Sequence, residues 1–155
     1  MKRGICFEIP NEYGSFLGEM LEPFDVTAFN WYIGDEESYF VDDNTLGESL
    51  FPEEINGMDG LLFKGIVENN KYYVIFANLK AYPKDKNVID IGTYEDFLIS
   101  DCQLVLLVVD CAYVTIYCKN KDILECLYQN AIRNGYDDVQ FITDENDGRT
   151  RLSVW

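Results

Sequence analysis

The sequence predicts an α+β fold, a single domain over residues 1–155 with one mixed, mainly antiparallel sheet and three to four helices. Three observations favour this class. Strand-like segments outnumber helical ones, several of them follow one another closely enough to pair as antiparallel neighbours, and the helical segments occur singly between them. A doubly wound α/β fold is the alternative, weakened because no glycine-rich turn joins a strand to a helix.

The N-terminal elements follow from apolar periodicity. In residues 5–9 apolar side chains recur at every second position, as in a half-buried strand, and Pro10 ends that strand. Asn11 is the predicted N-cap of a helix whose apolar stripe covers residues 16–21. Alternation returns at residues 29–33 and predicts the second strand.

Residues 34–60 are predicted to form a long, irregular and acidic loop, which a short strand at residues 39–41 interrupts. Its acidic residues are Asp35, Glu36, Glu37, Asp42, Asp43, Glu48, Glu53, Glu54 and Asp59. Loops of this length are uncommon unless they are functional, so this segment is the first place to look for a binding role.

The central part of the chain is predicted to contain two capped helices with a buried strand between them. Asp59 is the predicted N-cap of a helix that ends near Asn69. Residues 72–79 are apolar on both faces, which is typical of a central strand. Thr93 and Asp96 have the spacing of a capping box and predict a short helix.

The C-terminal third is predicted to contain a hairpin and the longest helix. Residues 104–109 and 113–118 are the two strands of the hairpin. Residues 120–134 carry apolar side chains along one helical face, and Gly135 follows as the residue that commonly ends a helix.

The last segment, ITDENDGRTRLSVW, has the appearance of a calcium loop. With Gly148 as the sixth residue of an EF-hand loop, Thr143 takes the first ligand position and Val154 takes the position of the bidentate glutamate. The motif therefore fails, and no metal site is predicted. Residues 139–143 and 151–154 are instead expected to pair as a terminal β-hairpin around this turn.

The residue types that common catalytic mechanisms require are missing. The chain has no histidine, which excludes Ser–His and Cys–His nucleophilic catalysis, and no glycine-rich phosphate-binding loop. Neither a catalytic residue nor a cofactor is predicted. Lys80, beside the central strand, is expected to be exposed, and Cys111 is expected to be a packed thiol rather than a nucleophile.

Hydropathy and cysteine usage predict a cytoplasmic protein. No stretch approaches the roughly 18 apolar residues of a membrane span, and the apolar stretch after Lys2 and Arg3 is too short for a signal peptide. The five cysteines are odd in number and form no C-x-x-C pair, which indicates free thiols in a reducing compartment.

Negative charge is concentrated in the first part of the chain. The net charge is −16, and residues 1–60 contribute −12 of it, from fourteen acidic and two basic residues. Between Gly4 and Phe63 there is no basic residue. Nucleic acid and anionic membranes are excluded as partners because both require clustered Lys and Arg. A basic protein, a polyamine or a divalent cation would be attracted.

Four stretches carry a resemblance to a known family. They are NWYIGDEESYF, LKAYPKDKNV, LVLLVVDCAYVTIYCK and ITDENDGRTRLSVW. These stretches are similar to a small family of uncharacterised proteins from Bacillus-like bacteria, and the resemblance spans the whole chain. It implies a bacterial, cytoplasmic, single-domain protein, and it brings no activity, cofactor or catalytic residue.

Two functions of different classes fit these observations. The leading hypothesis is a non-enzymatic interaction module whose acidic N-terminal part binds a basic protein partner. The predicted partner-binding residues are Trp31, Asp35, Glu36, Glu37, Tyr39, Asp42 and Asp43. The alternative is a small-molecule or cation-binding domain in which residues 34–60 cover a tyrosine-lined pocket. An enzyme is the least favoured class.

Overall fold

The described residues form one antiparallel sheet of eight strands. The computed structural model describes residues 1–51, 55–149 and 151–154. The strands are β1 (Lys2–Glu8), β2 (Phe29–Asp42), β3 (Thr45–Ser49), β4 (Ile55–Asp59), β5 (Tyr72–Pro83), β6 (Leu104–Val109), β7 (Tyr113–Cys118) and β8 (Asp137–Thr143). Their order is β3-β2-β5-β6-β7-β1-β8, and β4 pairs with β2 beside β3. Every strand pair in the described part is antiparallel, so the α+β prediction is confirmed and the mixed sheet is wrong.

Four α-helices connect the strands, and side-chain caps begin three of them. The helices are α1 (Phe16–Met20), α2 (Gly60–Glu68), α3 (Tyr94–Ile99) and α4 (Lys121–Arg133). Asp59 and Thr93 accept hydrogen bonds from first-turn N–H groups of α2 and α3, as predicted, and Asn120 does the same for α4. Gly135 follows α4 with a φ of 74°, the left-handed conformation that ends many helices.

The first helix begins later than predicted. Ser15, not Asn11, occupies its N-cap position. The reason is a competing backbone interaction, because Gly14 and Tyr72 exchange two hydrogen bonds of 2.9 and 3.0 Å between their N–H and C=O groups. This bridge keeps the chain extended up to Gly14, and only the residues after it are free to form a helix.

The two faces of the sheet are covered differently. Helices α1, α2 and α4 pack on one face, where Leu17, Phe63 and Leu127 belong to the larger apolar cluster. Helix α3 and the C-terminal segment cover the other face, where Phe97 and Leu152 belong to a smaller cluster. The smaller cluster contacts side chains of β5, β6, β7, β1 and β8. Among the described residues, none in the second half of β2 belongs to it.

Residues 34–60 are mostly strand, which corrects the prediction of an irregular loop. β2 extends to Asp42, the chain turns back as β3, and it returns to the same edge of β2 as β4. The predicted short strand at residues 39–41 is part of β2. The alternation was hidden from the sequence because the register of β2 against β5 shifts between Gly34 and Glu37, which places a bulge in the strand.

Leu152 and Val154 near the C-terminus are buried, but the described residues there do not form the predicted hairpin. In the described part of the segment, residues 151–154 have no strand pairing. Leu152 is 2% exposed and Val154 is 8% exposed, and both lie in the smaller apolar cluster. Leu152 N donates a hydrogen bond of 3.0 Å to the carbonyl oxygen of Gly92. The chain end is therefore held by burial against the sheet rather than by a strand ladder.

Substituting two glycines of α2 is expected to change stability in opposite directions. A Cβ at Gly60 would overlap the carbonyl oxygens of Val26 and Phe29, so Gly60→Ala should lower the free energy of unfolding by about 1–3 kcal/mol. Gly65 has no heavy atom within 4 Å of such a Cβ, so Gly65→Ala should raise it by about 0.5–1 kcal/mol. Urea denaturation of both variants measures the difference, and a stable Gly60→Ala protein would contradict this packing.

Candidate functional site

The most exposed part of the sheet is the hairpin of β2 and β3. Asp43 and Asn44 form its two-residue turn, with φ values of 49° and 60°. Both residues are therefore left-handed, which is the conformation of a type I′ turn and matches the twist of the two strands. All five residues of β3 are exposed to solvent. β3 therefore extends the sheet at one end without entering the core, whereas Phe40 of β2 packs against the larger apolar cluster.

One face of this hairpin presents aromatic, apolar and acidic side chains together. Tyr39 lies directly opposite Tyr73 of β5, and Val41 lies directly opposite Leu46 of β3. Tyr39 Oη donates a hydrogen bond of 3.1 Å to Glu37 Oε1, and this interaction raises the pKa of the Tyr39 phenol. We call the five residues Glu37, Tyr39, Val41, Leu46 and Tyr73 the hairpin surface.

Tyr73 is held in place by contacts from outside the hairpin. Its hydroxyl donates a hydrogen bond to Asn11 Oδ1 and lies 3.1 Å from Cys111 Sγ. Its ring meets the ring of Tyr13 edge-on at 5.5 Å. The sequence did not single out Tyr73, because residues 72–79 are apolar on both faces and nothing distinguished the outer face from the inner one. The tertiary contacts make it a fixed part of the surface.

Two of the predicted partner-binding residues face away from the hairpin surface. Trp31 is 0% exposed, and its indole N–H donates a hydrogen bond of 3.0 Å to the carbonyl oxygen of Val26. Glu36 is half-buried and accepts a hydrogen bond from Ser38 Oγ, and burial raises the pKa of its carboxyl. Trp31 is therefore a core residue, which corrects its prediction as an interface anchor.

The remaining predicted residues lie on the hairpin. Glu37 and Tyr39 belong to the hairpin surface, and Asp42 and Asp43 are exposed at its tip. The side chain of Asp35 lies outside the described part of the structure. The structure thus brings together four of the predicted residues, and it adds Val41, Leu46 and Tyr73 to them.

Lys80 is fully buried, which corrects the expectation that it is exposed. Its Nζ donates hydrogen bonds to Asn78 Oδ1 (2.8 Å), Asp90 Oδ1 (2.7 Å) and the carbonyl oxygen of Leu152 (3.0 Å). The ammonium also lies 5.4 Å from the centre of the Tyr32 ring. All three N–H donors of Lys80 are therefore matched by acceptors. The lysine joins β5, the Asp90 loop and the C-terminal segment, and it has no donor left for a substrate.

The acidic turn near the C-terminus forms ion pairs with an arginine. Arg3 Nε lies 2.8 Å from Asp144 Oδ1, and Arg3 Nη1 lies 3.2 Å from Asp147 Oδ2. The pair with Arg3 lowers the pKa of the Asp144 carboxyl. Tyr117 Oη donates to both oxygens of Asp147, at 3.0 and 3.2 Å. The turn that resembled a calcium loop is a structural contact between the chain ends, and no metal-binding group of three or more acidic or cysteine side chains occurs among the described residues.

The cysteines that the structure buries are expected to be unreactive. Burial raises the pKa of Cys102 to about 12 and that of Cys118 to about 11, whereas Cys126 is exposed. With Ellman's reagent at pH 8, Cys126 should react first and Cys118 about 100-fold more slowly than in the unfolded chain, since the thiolate is the reactive form. Cys126→Ser should remove the fast phase. Rapid labelling of Cys118 in the native protein would contradict the assignment.

The fold and the hairpin surface define a class of protein, a small α+β domain that presents an acidic and aromatic β-hairpin. The chain belongs to the family described as "Protein of unknown function (DUF2691)", which it matches over residues 2–153. It is 48% identical over 154 residues to "Uncharacterized protein YncE" of Bacillus subtilis (strain 168), covering 99% of this chain and 100% of that relative. No solved structure matches it. Among the described residues, no helix has the length and apolar character that crossing a membrane requires.

Proposed function

We propose that this protein is a cytoplasmic, non-enzymatic interaction module whose hairpin surface binds a basic protein partner. The observation that carries the proposal is the hairpin itself. Residues 34–49 contain six acidic residues and no basic residue, and β3 is exposed along its whole length. An acidic and solvent-exposed element is a structure to which a basic surface is drawn by long-range electrostatic attraction.

The aromatic residues of the hairpin surface supply the short-range part of the interaction. Tyrosine is enriched at protein interfaces because its ring contributes apolar area while its hydroxyl tolerates water. Tyr39 and Tyr73 lie opposite each other on neighbouring strands, and both are half-buried. An apolar side chain of the partner packed on either ring would bury apolar area, while its basic side chains would ion-pair with the acids at the hairpin tip.

The assignment to the cytoplasm rests on thiols and on charge. All five cysteines are unpaired, as expected in a reducing compartment. A net charge of −16 opposes binding to nucleic acid and to anionic lipid. A protein partner of opposite charge is the macromolecule that this chemistry favours.

The cation-binding alternative does not fit the location that the sequence suggested. Strands β2, β3 and β4 belong to the sheet, so residues 34–60 do not form the loop that a pocket lid would require. A cleft of about 300 Å³ lies beside α1 and α2, and its charged lining residues are Glu22, Asp25, Lys64 and Glu68. No tyrosine lines this cleft among the described residues. A thermal-shift titration with spermine and with Mg²⁺ tests it, and a stabilisation would favour this alternative.

Affinity capture with a matched pair of variants tests the proposed function. One variant neutralises the hairpin with Glu37→Gln, Asp42→Asn and Asp43→Asn. The control neutralises three exposed acids elsewhere, with Glu95→Gln, Asp101→Asn and Glu145→Gln, and changes the net charge equally. Wild type and control are expected to retain the same basic protein from a bacterial lysate at low salt, and the hairpin variant is expected to lose it.

The outcome separates a specific surface from general acidity. Equal retention by the two variants would show that net charge alone is responsible, and it would refute the hairpin as the binding site. Retention of no basic protein by the wild type at low salt would refute the proposed function. Weaker retention at moderate salt is expected, because screening shortens the range of the attraction.

A further inference from the structure

The outer edge of β3 carries backbone groups that no strand of the described part pairs. β3 is the terminal strand in the sheet order. Asp42 and Thr45 flank the two-residue turn and are paired in the register of β2 with β3, so they exchange the first ladder hydrogen bonds. The next residue, Leu46, consequently directs its N–H and C=O groups away from β2. An extended segment that lies along β3 can pair with these groups.

The charge of the hairpin selects what kind of segment can pair there. Asp42, Asp43 and Glu48 are all exposed, and a second copy of this chain would bring the same acids against them. Like charges juxtaposed in an interface repel each other, so pairing between copies is disfavoured. A segment that carries lysine or arginine gains the opposite interaction. The acidic edge therefore favours a basic strand over a second copy.

The two faces of the hairpin match an alternating sequence. Val41, Tyr39 and Leu46 lie on one face, and Leu46 is 44% exposed. Asp42 follows Val41 in the strand, so its side chain points to the opposite face. A strand that alternates basic and β-branched residues would place its apolar side chains beside Leu46 and its basic side chains on the side of Asp42.

We infer that the basic partner binds by β-strand addition, an inference that rests on the proposed function. An extended segment of alternating Lys or Arg and β-branched residues pairs with the outer edge of β3. Its backbone exchanges hydrogen bonds with the N–H and C=O groups of Leu46. Its apolar side chains cover the exposed part of the hairpin surface, and its basic side chains form ion pairs with Asp42 and Asp43 at the tip. The partner is thus recognised through an unfolded or edge-strand segment and not through a preformed basic patch.

A pair of peptides tests the pairing without altering the protein. The probe is an acetylated and amidated peptide of four Lys-Val repeats, and its control is the same peptide with every backbone nitrogen methylated. Methylation preserves charge and side chains but removes the N–H donors of the strand. Fluorescence anisotropy is expected to show that wild-type protein binds the probe about tenfold or more tightly than the control, because the ladder hydrogen bonds are lost. Hydrogen exchange of the Leu46 amide is expected to slow when the probe is bound.

Two variants test the same hydrogen bond from the side of the protein. Leu46→Pro removes the outward N–H at an edge position where proline is tolerated, and it is expected to weaken probe binding about tenfold. Leu46→Ala retains the N–H and is expected to bind within about threefold of wild type. Circular dichroism and urea denaturation establish that both variants are folded.

The other possible results contradict either strand addition or the proposed function. Equal binding of the two peptides, or an unchanged Leu46 exchange rate, overturns strand addition and leaves the acidic interaction module standing. Binding of neither peptide also overturns strand addition. The proposed function falls separately, when the wild-type protein captures no basic protein from the lysate.

Discussion

Lys80→Met is expected to lower the free energy of unfolding by about 2–4 kcal/mol. Methionine fills most of the space of the lysine stem, but it cannot donate to Asn78 Oδ1 or to the carbonyl oxygen of Leu152, and both acceptors would stay buried without a partner. The Asp90 carboxylate is half-exposed and can bind water instead, so the loss of its ion pair with Lys80 contributes less to the destabilisation. Urea denaturation followed by circular dichroism measures the change.

Lys84→Met provides the control for this prediction. The Lys84 side chain is 48% exposed and pairs with an exposed carboxylate, Asp59, so its removal should alter stability little. Similar losses in the two variants would contradict the burial of Lys80. Because Lys80 contacts Leu152, the Lys80→Met protein should also expose its C-terminal segment, and limited proteolysis should cleave there first.

Trp31→Ala is expected to destabilise the protein by about 3–5 kcal/mol, because it removes the largest fully buried side chain of the core. The Trp31 ring stacks on Phe63 with 4.2 Å between ring centres and meets Phe24 edge-on at 6.0 Å. A cavity at this position would remove the stacking contact between β2 and Phe63 of α2. Thermal and chemical denaturation should both show the loss.

Comparison with Tyr39 distinguishes a core role from a binding role. Trp31→Phe keeps most of the apolar contact and loses the hydrogen bond to Val26, so it should cost about 1–2 kcal/mol and leave capture of the basic partner intact. Tyr39→Ala should leave stability nearly unchanged and reduce capture. Loss of partner binding in a folded Trp31→Phe protein, with binding intact in Tyr39→Ala, would reverse the assignment of the two aromatic residues.

Local patterns predicted most of the elements because their causes are local. Asp59 and Thr93 cap the helices that follow them, and Gly135 ends α4, since each effect depends on residues within one helical turn. The hairpin of β6 and β7 was likewise predicted from two adjacent apolar segments. The β2 extension was missed because a bulge breaks its alternation, and the break reflects the register of β2 against β5.

The candidate site was predicted only in part, because charge follows from composition whereas exposure depends on tertiary contacts. Negative charge is a property of composition, so the acidity of residues 34–60 and the candidates Glu37, Asp42 and Asp43 followed from the sequence. Whether an aromatic residue faces solvent depends on what packs against it. Trp31 and Tyr39 look equivalent in the sequence, and only the helical layer on one face of β2 makes the first a core residue.

The sequence by itself determined the class of fold, the caps of α2 and α3, the absence of histidine and the excess of negative charge. Only the tertiary structure decided which strand lies at the edge, that Lys80 is enclosed by residues far away in the chain, and that the apparent metal loop binds Arg3. These features depend on contacts between segments many residues apart, whose side chains meet only after the sheet is assembled. The pattern of residues 151–154 predicted a hairpin strand, but these residues have no strand pairing. Leu152 and Val154 are instead buried in the smaller apolar cluster, which holds the segment against the sheet.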